Sequence, residues 1–169
     1  KVTDVPEIIN AIKGIPKGSM NKYEYDKKNN LIKLDRVLFS PFHYPGDYGL
    51  IPQTLSEDGD PLDALVLVTN PTFPGILIES RPIGLLQMKD DGEPDDKIIC
   101  VSTNDPRYLH TTDIENIEDH HRSEIAHFFQ VYKELEGKKV EIIGWKSAKD
   151  AKSVIIDSIK RYKETLKKY

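Results

Sequence analysis

Asp58-Gly59-Asp60-Pro61-Leu62-Asp63 runs directly into Ala64-Leu65-Val66-Leu67-Val68. Gly59 and Pro61 mark a turn, and the aliphatic, β-branched run after it marks a buried strand. Three carboxylates therefore crowd the mouth of a strand, where like charges repel. A cation removes that repulsion. A hard divalent ion such as Mg²⁺ takes oxygen ligands and keeps several of its waters. The alternative reading is a solvated acidic turn, and the rest of the chain decides between the two.

A second acidic cluster follows. Ile76-Leu77-Ile78 and Pro82-Ile83-Gly84-Leu85-Leu86-Gln87-Met88 read as strands. They lead into Asp90-Asp91-Gly92-Glu93-Pro94-Asp95-Asp96-Lys97, which opens onto a further apolar strand over 98–101. Two carboxylate clusters at strand ends are a stronger metal candidate than either one alone.

Upstream, Lys22-Tyr23-Glu24-Tyr25-Asp26 alternates charged and aromatic residues, the period of a strand. Lys27-Lys28-Asn29-Asn30 has turn composition, and Leu31 to Leu38 returns as a second strand. This hairpin sets Lys22 and Glu24 near Arg36. Residues 1–12 space Val5, Ile8, Ile9 and Ile12 in a way that suggests a short helix, and 14–19 reads as a loop. The stretch from Ser40 to Gly49 is rich in proline, glycine and aromatics and predicts no regular element. Its tyrosines, Tyr44 and Tyr48, are either hydrogen-bond donors lining a pocket or pins that hold the loop to the core.

Downstream, Ile125, Phe128, Phe129, Tyr132 and Leu135 form an apolar stripe that predicts a helix over 121–136, closed by Gly137. Val140 to Trp145 reads as a strand. Ser147 and Asp150 form a capping-box pattern before an amphipathic terminal helix carrying Ala148, Ala151, Val154, Ile155, Ile159, Tyr162 and Leu166, with Lys167 and Lys168 at its end. His110, His120, His121 and His127 match no zinc-site spacing.

Strands dominate the first two thirds and no strand–helix–strand alternation is present, which disfavours a doubly wound sheet. Closing about five mixed strands into a barrel would remove their edges. The 169 residues carry no repeat or linker and suit a single domain over 1–169. A net charge of −4 argues against a general nucleic-acid partner. No run approaches the ~20 apolar residues of a membrane span. Cys100 stands alone in an apolar strand, so it reads as an inert buried thiol without a disulfide. With no secretory leader in view, the expected location is cytoplasmic.

The chemistry follows from the mixture of groups. Many carboxylates together with Lys22, Arg36, Lys97 and Lys133 suit an anionic ligand bridged by metals. Phosphate oxygens fit both halves. No P-loop and no serine–histidine or cysteine–histidine pair is present, so metal-activated water is the natural nucleophile.

The motifs together resemble the soluble family I inorganic pyrophosphatases of the short, prokaryotic type. The resemblance rests on Asp58 to Asp63, and on Lys22 to Asp26, Asp35-Arg36, Tyr44-Pro45 with Tyr48-Gly49, Arg81-Pro82, Asp90 to Lys97, and His127-Phe128-Phe129 with Tyr132-Lys133, all in order. It implies a mainly β fold with α: a five-stranded OB-like β-barrel with flanking helices, two of them C-terminal. It implies hydrolysis of pyrophosphate to two phosphates, with three to four Mg²⁺ ions per site and Mn²⁺ or Zn²⁺ as substitutes. Asp58, Asp63 and Asp95 would bind a first activating metal, with Asp63 shared by a second. Asp90 and Asp95 would hold a metal arriving with substrate, and Glu24 would contact a fourth. Asp60 would be the general base for a water bridging the two activating metals. Lys22, Arg36, Tyr48, Lys97, Tyr132 and Lys133 would bind phosphate oxygens, and Tyr44 and Asp91 would complete the pocket. Short members are usually hexamers, so a homohexamer is expected.

The chain departs from the family at Gly14, where a glutamate is usual ahead of Ile15-Pro16, and at Asp91, where glutamate is common. Asp96 beside Asp95 leaves a one-residue choice, and Asp95 keeps the family spacing to Lys97. Three rival readings fit the residues less well. Acidic clusters disfavour a single-strand nucleic-acid barrel. A calcium loop counted from Asp58 fails, because Asp63 and Thr69 stand at its sixth and twelfth places. An aspartyl-phosphate enzyme would use a carboxylate rather than water as nucleophile.

Overall fold

A computed structural model describes residues 4–167. Five strands close a ring: β1 (Ile9–Ile15), β4 (Asp47–Leu50), β5 (Asp63–Leu67), β8 (Lys97–Ser102) and β6 (Leu77–Asp90), which returns to β1. All neighbours in the ring are antiparallel except β5 and β8. The short β7 (Glu93–Pro94) and β9 (Val140–Ser147) extend the far end of β6. The hairpin of β2 (Asn21–Asp26) and β3 (Leu31–Val37) is a separate two-stranded sheet. Helices α1 (Asp119–Val131) and α2 (Ala148–Leu166) flank the ring. The architecture is thus the barrel-like, mainly β fold with helices that the motifs imply. Among the described residues no helix is long and apolar enough to cross a membrane.

The apolar runs of β5 and β8 are continuous because both faces are covered. Leu65, Leu67, Ile99 and Val101 share a core with Ile125, Phe128 and Phe129 of α1. Ala64, Val66, Ile98 and Cys100 share one with Ala151 and Ile155 of α2. The Ser147–Asp150 capping box forms in both directions at the start of α2.

Four expectations are corrected. Residues 9–15 are a strand, not part of a helix, because Ile9, Ala11, Lys13 and Ile15 alternate inward and the lysine in that series hides its period. Asp47–Leu50 is a strand that begins inside the stretch expected to be irregular, paired on one side to β1 and on the other to β5. The two strands around 76–88 are one, since Pro82 sits at a register shift before Gly84, where a bulge tolerates it. The helix over 121–136 ends at Val131. Glu134–Glu136 is a 3₁₀ turn, whose tighter winding leaves Leu135 exposed. Gly137 follows with φ of 75°, as a terminating glycine should. Lys168 lies outside the described residues.

Candidate active site

The turn before β5 is built from its own backbone. Ser56 N–H donates to the Asp60 carbonyl at 2.7 Å and Gly59 N–H to the Ser56 carbonyl at 3.2 Å. Asp60 N–H donates to Asp58 Oδ1 at 2.9 Å. Asp58 and Asp60 thus stand on an exposed tip, while Asp63 begins a rigid strand. The parallel register sets Asp63 directly beside Lys97, the first residue of β8. The second acidic cluster therefore meets the first across the ends of two adjacent strands.

At that junction Lys97 Nζ lies 2.7 Å from Asp63 Oδ2 and 2.6 Å from Asp95 Oδ1. Burial opposes its charge, but Asp63 and then Asp95 carry the balance and hold the ammonium above its ordinary value. Burial raises Asp95 against the pull of Lys97. The rings of Tyr48 and Phe129 lie 5.5 and 5.8 Å from the same ammonium. Asp95 is the member of its pair that reaches Lys97; Asp96 accepts from Met88 N–H at 3.2 Å instead. Lys133 pairs with Asp90, whose second oxygen is buried without a hydrogen-bond partner among the described residues.

Tyr44, Tyr48 and Tyr132 pack with Phe128 and Phe129 as one aromatic wall. Desolvation pushes all three phenols well above their usual value, so they remain protonated donors. The hairpin register sets Lys22 against Arg36. Arg36 donates to Asp35 at 3.1 Å and lies 3.2 Å from Glu136.

A single cavity of about 690 Å³ gathers Lys22, Arg36, Tyr44, Tyr48, Asp58, Asp60, Asp63, Asp90, Asp91, Asp95, Lys97, Tyr132 and Lys133. Glu24 does not line it: its carboxylate stands on the exposed hairpin, 3.3 Å from Lys22. Asp91 lines it with its carboxylate turned to Lys139 N–H at 2.9 Å, anchoring the loop. The cavity also includes Lys138, Asp157, Ser158 and Arg161, which the motifs do not single out. Lys138 follows the helix-ending Gly137, a signal that could have placed it beside Lys133. Nothing in the spacing of α2 separates Arg161 from the other cations on its polar face.

Ten carboxylates against six cationic side chains line this space. A polyphosphate entering it would be repelled unless cations came too. Among the described residues no three acidic, histidine or cysteine side chains converge as a closed cage for a metal. An open set of hard oxygens, one of them the orphaned Asp90 Oδ1, fits instead an ion that keeps much of its water.

Comparison with known proteins agrees with this chemistry. The sequence profile of the family described as inorganic pyrophosphatase matches residues 11–163. The inorganic pyrophosphatase of Halalkalibacterium halodurans is 51% identical over 158 residues, covering 94% of this chain and 97% of that protein. That of Methanosarcina acetivorans is 52% identical over 150 residues, covering 89% of each. The crystal structure of the Thermus thermophilus inorganic pyrophosphatase superposes with a TM-score of 0.92 at 47% identity, covering 96% of both chains.

Proposed function

The chain belongs to the inorganic pyrophosphatase family, and from that premise we propose a mechanism in which Asp60 is the general base for water attack on metal-complexed pyrophosphate. The reaction is hydrolysis of the phosphoanhydride to two phosphates, and it depends on metal. The observation that carries the residue assignment is the single cavity that joins both acidic clusters to the cationic and phenolic groups.

Mg²⁺ is the ion we assign, three to four per site. Asp58, Asp63 and Asp95 would hold one ion, Asp63 would share a second, and Asp90 with Asp95 would take one entering with substrate. Glu24 would reach a fourth by leaving Lys22. Bound divalent ions neutralise phosphate charge and make water a better acid. Asp60, on its exposed tip, accepts the proton of the attacking water. Lys22 and Arg36 hold phosphate oxygens from the hairpin side, and Lys97 and Lys133 from the aromatic wall. The phenols of Tyr48 and Tyr132 add neutral donors, which bind oxygen without adding charge. As charge builds on the departing phosphate, these preset donors stabilise it without reorganising. Tyr44 shapes the wall and Asp91 holds its loop. We further assign the chain a single catalytic domain, a cytoplasmic setting and a homo-oligomeric, hexameric state.

The test compares phosphate release from pyrophosphate by the wild type and Asp60→Asn in Mg²⁺. Release should vanish with a chelator and fall by about 10²–10⁴ in the variant. Equal activity in the two proteins would remove Asp60 from the role of base.

A further inference from the structure

Leu55 lies three residues before Asp58, and α2 holds both of its backbone polar groups. Its N–H donates to the Ser158 carbonyl at 3.0 Å. Its carbonyl accepts from the Arg161 guanidinium at 2.7 Å. The other bonds of the turn are internal: Ser56 to Asp60, Gly59 to Ser56, and Asp60 to Asp58. Among the described residues, the two bonds at Leu55 are therefore the ones that tie segment 55–60 to the rest of the molecule. Asp63 needs no such tie, because it stands in the ladder between β4 and β8. Arg161 is partly buried in the wall of the same cavity, next to Asp157 and Ser158. A guanidinium bonded to a carbonyl is a charge-assisted contact, stronger and more directional than a neutral one. It also sets a cation against a turn that carries Glu57, Asp58 and Asp60.

We propose that Arg161 is a positioning residue for the acidic turn: by fixing the Leu55 carbonyl it sets where Asp58 and Asp60 stand relative to Asp63. The terminal helix is then part of the catalytic apparatus as well as a cover for the barrel. The proposal rests on the reading of Asp58 as a metal ligand and Asp60 as the base.

The experiment uses Arg161→Met, Arg161→Lys and, as a charge control on the same helix, the exposed Lys160→Met. Mn²⁺ binding to each intact protein is followed by the electron paramagnetic resonance of the free ion, and steady-state rates are measured in Mg²⁺. Loss of one charge-assisted bond should weaken Mn²⁺ binding and lower kcat by about tenfold each in Arg161→Met. KM for pyrophosphate should stay within about twofold, since the hairpin cations and aromatic wall are untouched. Arg161→Lys should recover part of both losses and Lys160→Met should match the wild type. Mn²⁺ affinity and kcat both unchanged in Arg161→Met would overturn the proposal. So would losses that merely track the unfolded fraction seen by circular dichroism. If the wild type and Asp58→Asn bind Mn²⁺ alike, the ligand reading itself fails and the proposal falls with it.

Discussion

Lys13 places an ammonium in a slot shaped for an aliphatic side chain. It is 2% exposed, in the inward series Ile9, Ala11, Lys13, Ile15. Its partner is the Asp47 carbonyl, while the Asp47 carboxylate is taken by Lys17 N–H and by the amide and hydroxyl of Thr72. Burial pulls the amine down to about 7, with Asp47 and Cys100 acting the other way. An unfolded lysine titrates at 10.5. Between these values the unfolded chain holds more protons than the folded one, so this residue makes stability rise with pH across that window. Below pH 7 both states are protonated and the folded state carries the full cost of a buried charge. Lys13→Met removes the term. Its stability relative to wild type should therefore decline by roughly 1.4 kcal/mol per pH unit from pH 7 to 9. Urea unfolding at several pH values checks this, and parallel profiles for the two proteins would sink it. Cys100 is equally buried, and its thiol is pushed up to about 12, in keeping with an inert core residue.

At the scale of elements, β4 can lie on β1 only because residue 49 has no side chain. A Cβ on Gly49 would stand 1.9 Å from the Ile12 carbonyl oxygen and 2.9 Å from Lys13 Cα, both backbone. Gly49→Ala should cost about 3 kcal/mol or more and splay the strand that carries Tyr48. Gly14→Ala, whose Cβ would meet the Tyr23 carbonyl at 3.3 Å and the Tyr48 carbonyl at 4.0 Å, should cost less than about 1 kcal/mol. Thermal unfolding of the pair measures the contrast, and equal losses would mean that the ring tolerates a wider gap at β4. The same two strands show where reading the chain succeeded and where it failed. β5, the capping box of α2 and the hairpin announce themselves through local pattern. β1 does not, because its pattern contains a buried lysine. Nor does β4, whose strand character comes from partners on both sides rather than from its Gly- and Pro-rich surroundings. The candidate site follows the same rule. Its acids, phenols and cations stand in motifs whose residue types and spacing are distinctive. Arg161 and Glu136 act through tertiary contacts to Leu55 and Arg36, so their own neighbours in the chain carry no trace of the role.

The whole molecule leaves one element poorly supported, and it is the one that carries Lys22 and Arg36. The β2–β3 hairpin pairs with no strand of the ring. Two strands alone are marginal in water. Its contacts with the body include the Arg36–Glu136 pair at 3.2 Å and the approach of Ile32 to the turn at Gly75. Yet the hairpin exposes Leu31, Ile32 and Leu34, with Phe73 near that turn 76% exposed. Apolar surface of this kind suits burial against further copies of the chain. Assembly would then stiffen the hairpin and preset two of the phosphate-binding cations. The wild type should sediment at a multiple of 19.3 kDa, and Leu34→Glu with Phe73→Glu should shift it towards the monomer. Because neither position lines the cavity, dissociation should raise KM for pyrophosphate by about tenfold, with kcat changed by less than about threefold. A wild type that is already monomeric at micromolar concentration would overturn the assembly. A dissociated variant with unchanged KM would instead mean that the hairpin holds Lys22 and Arg36 in place without help from a neighbouring chain.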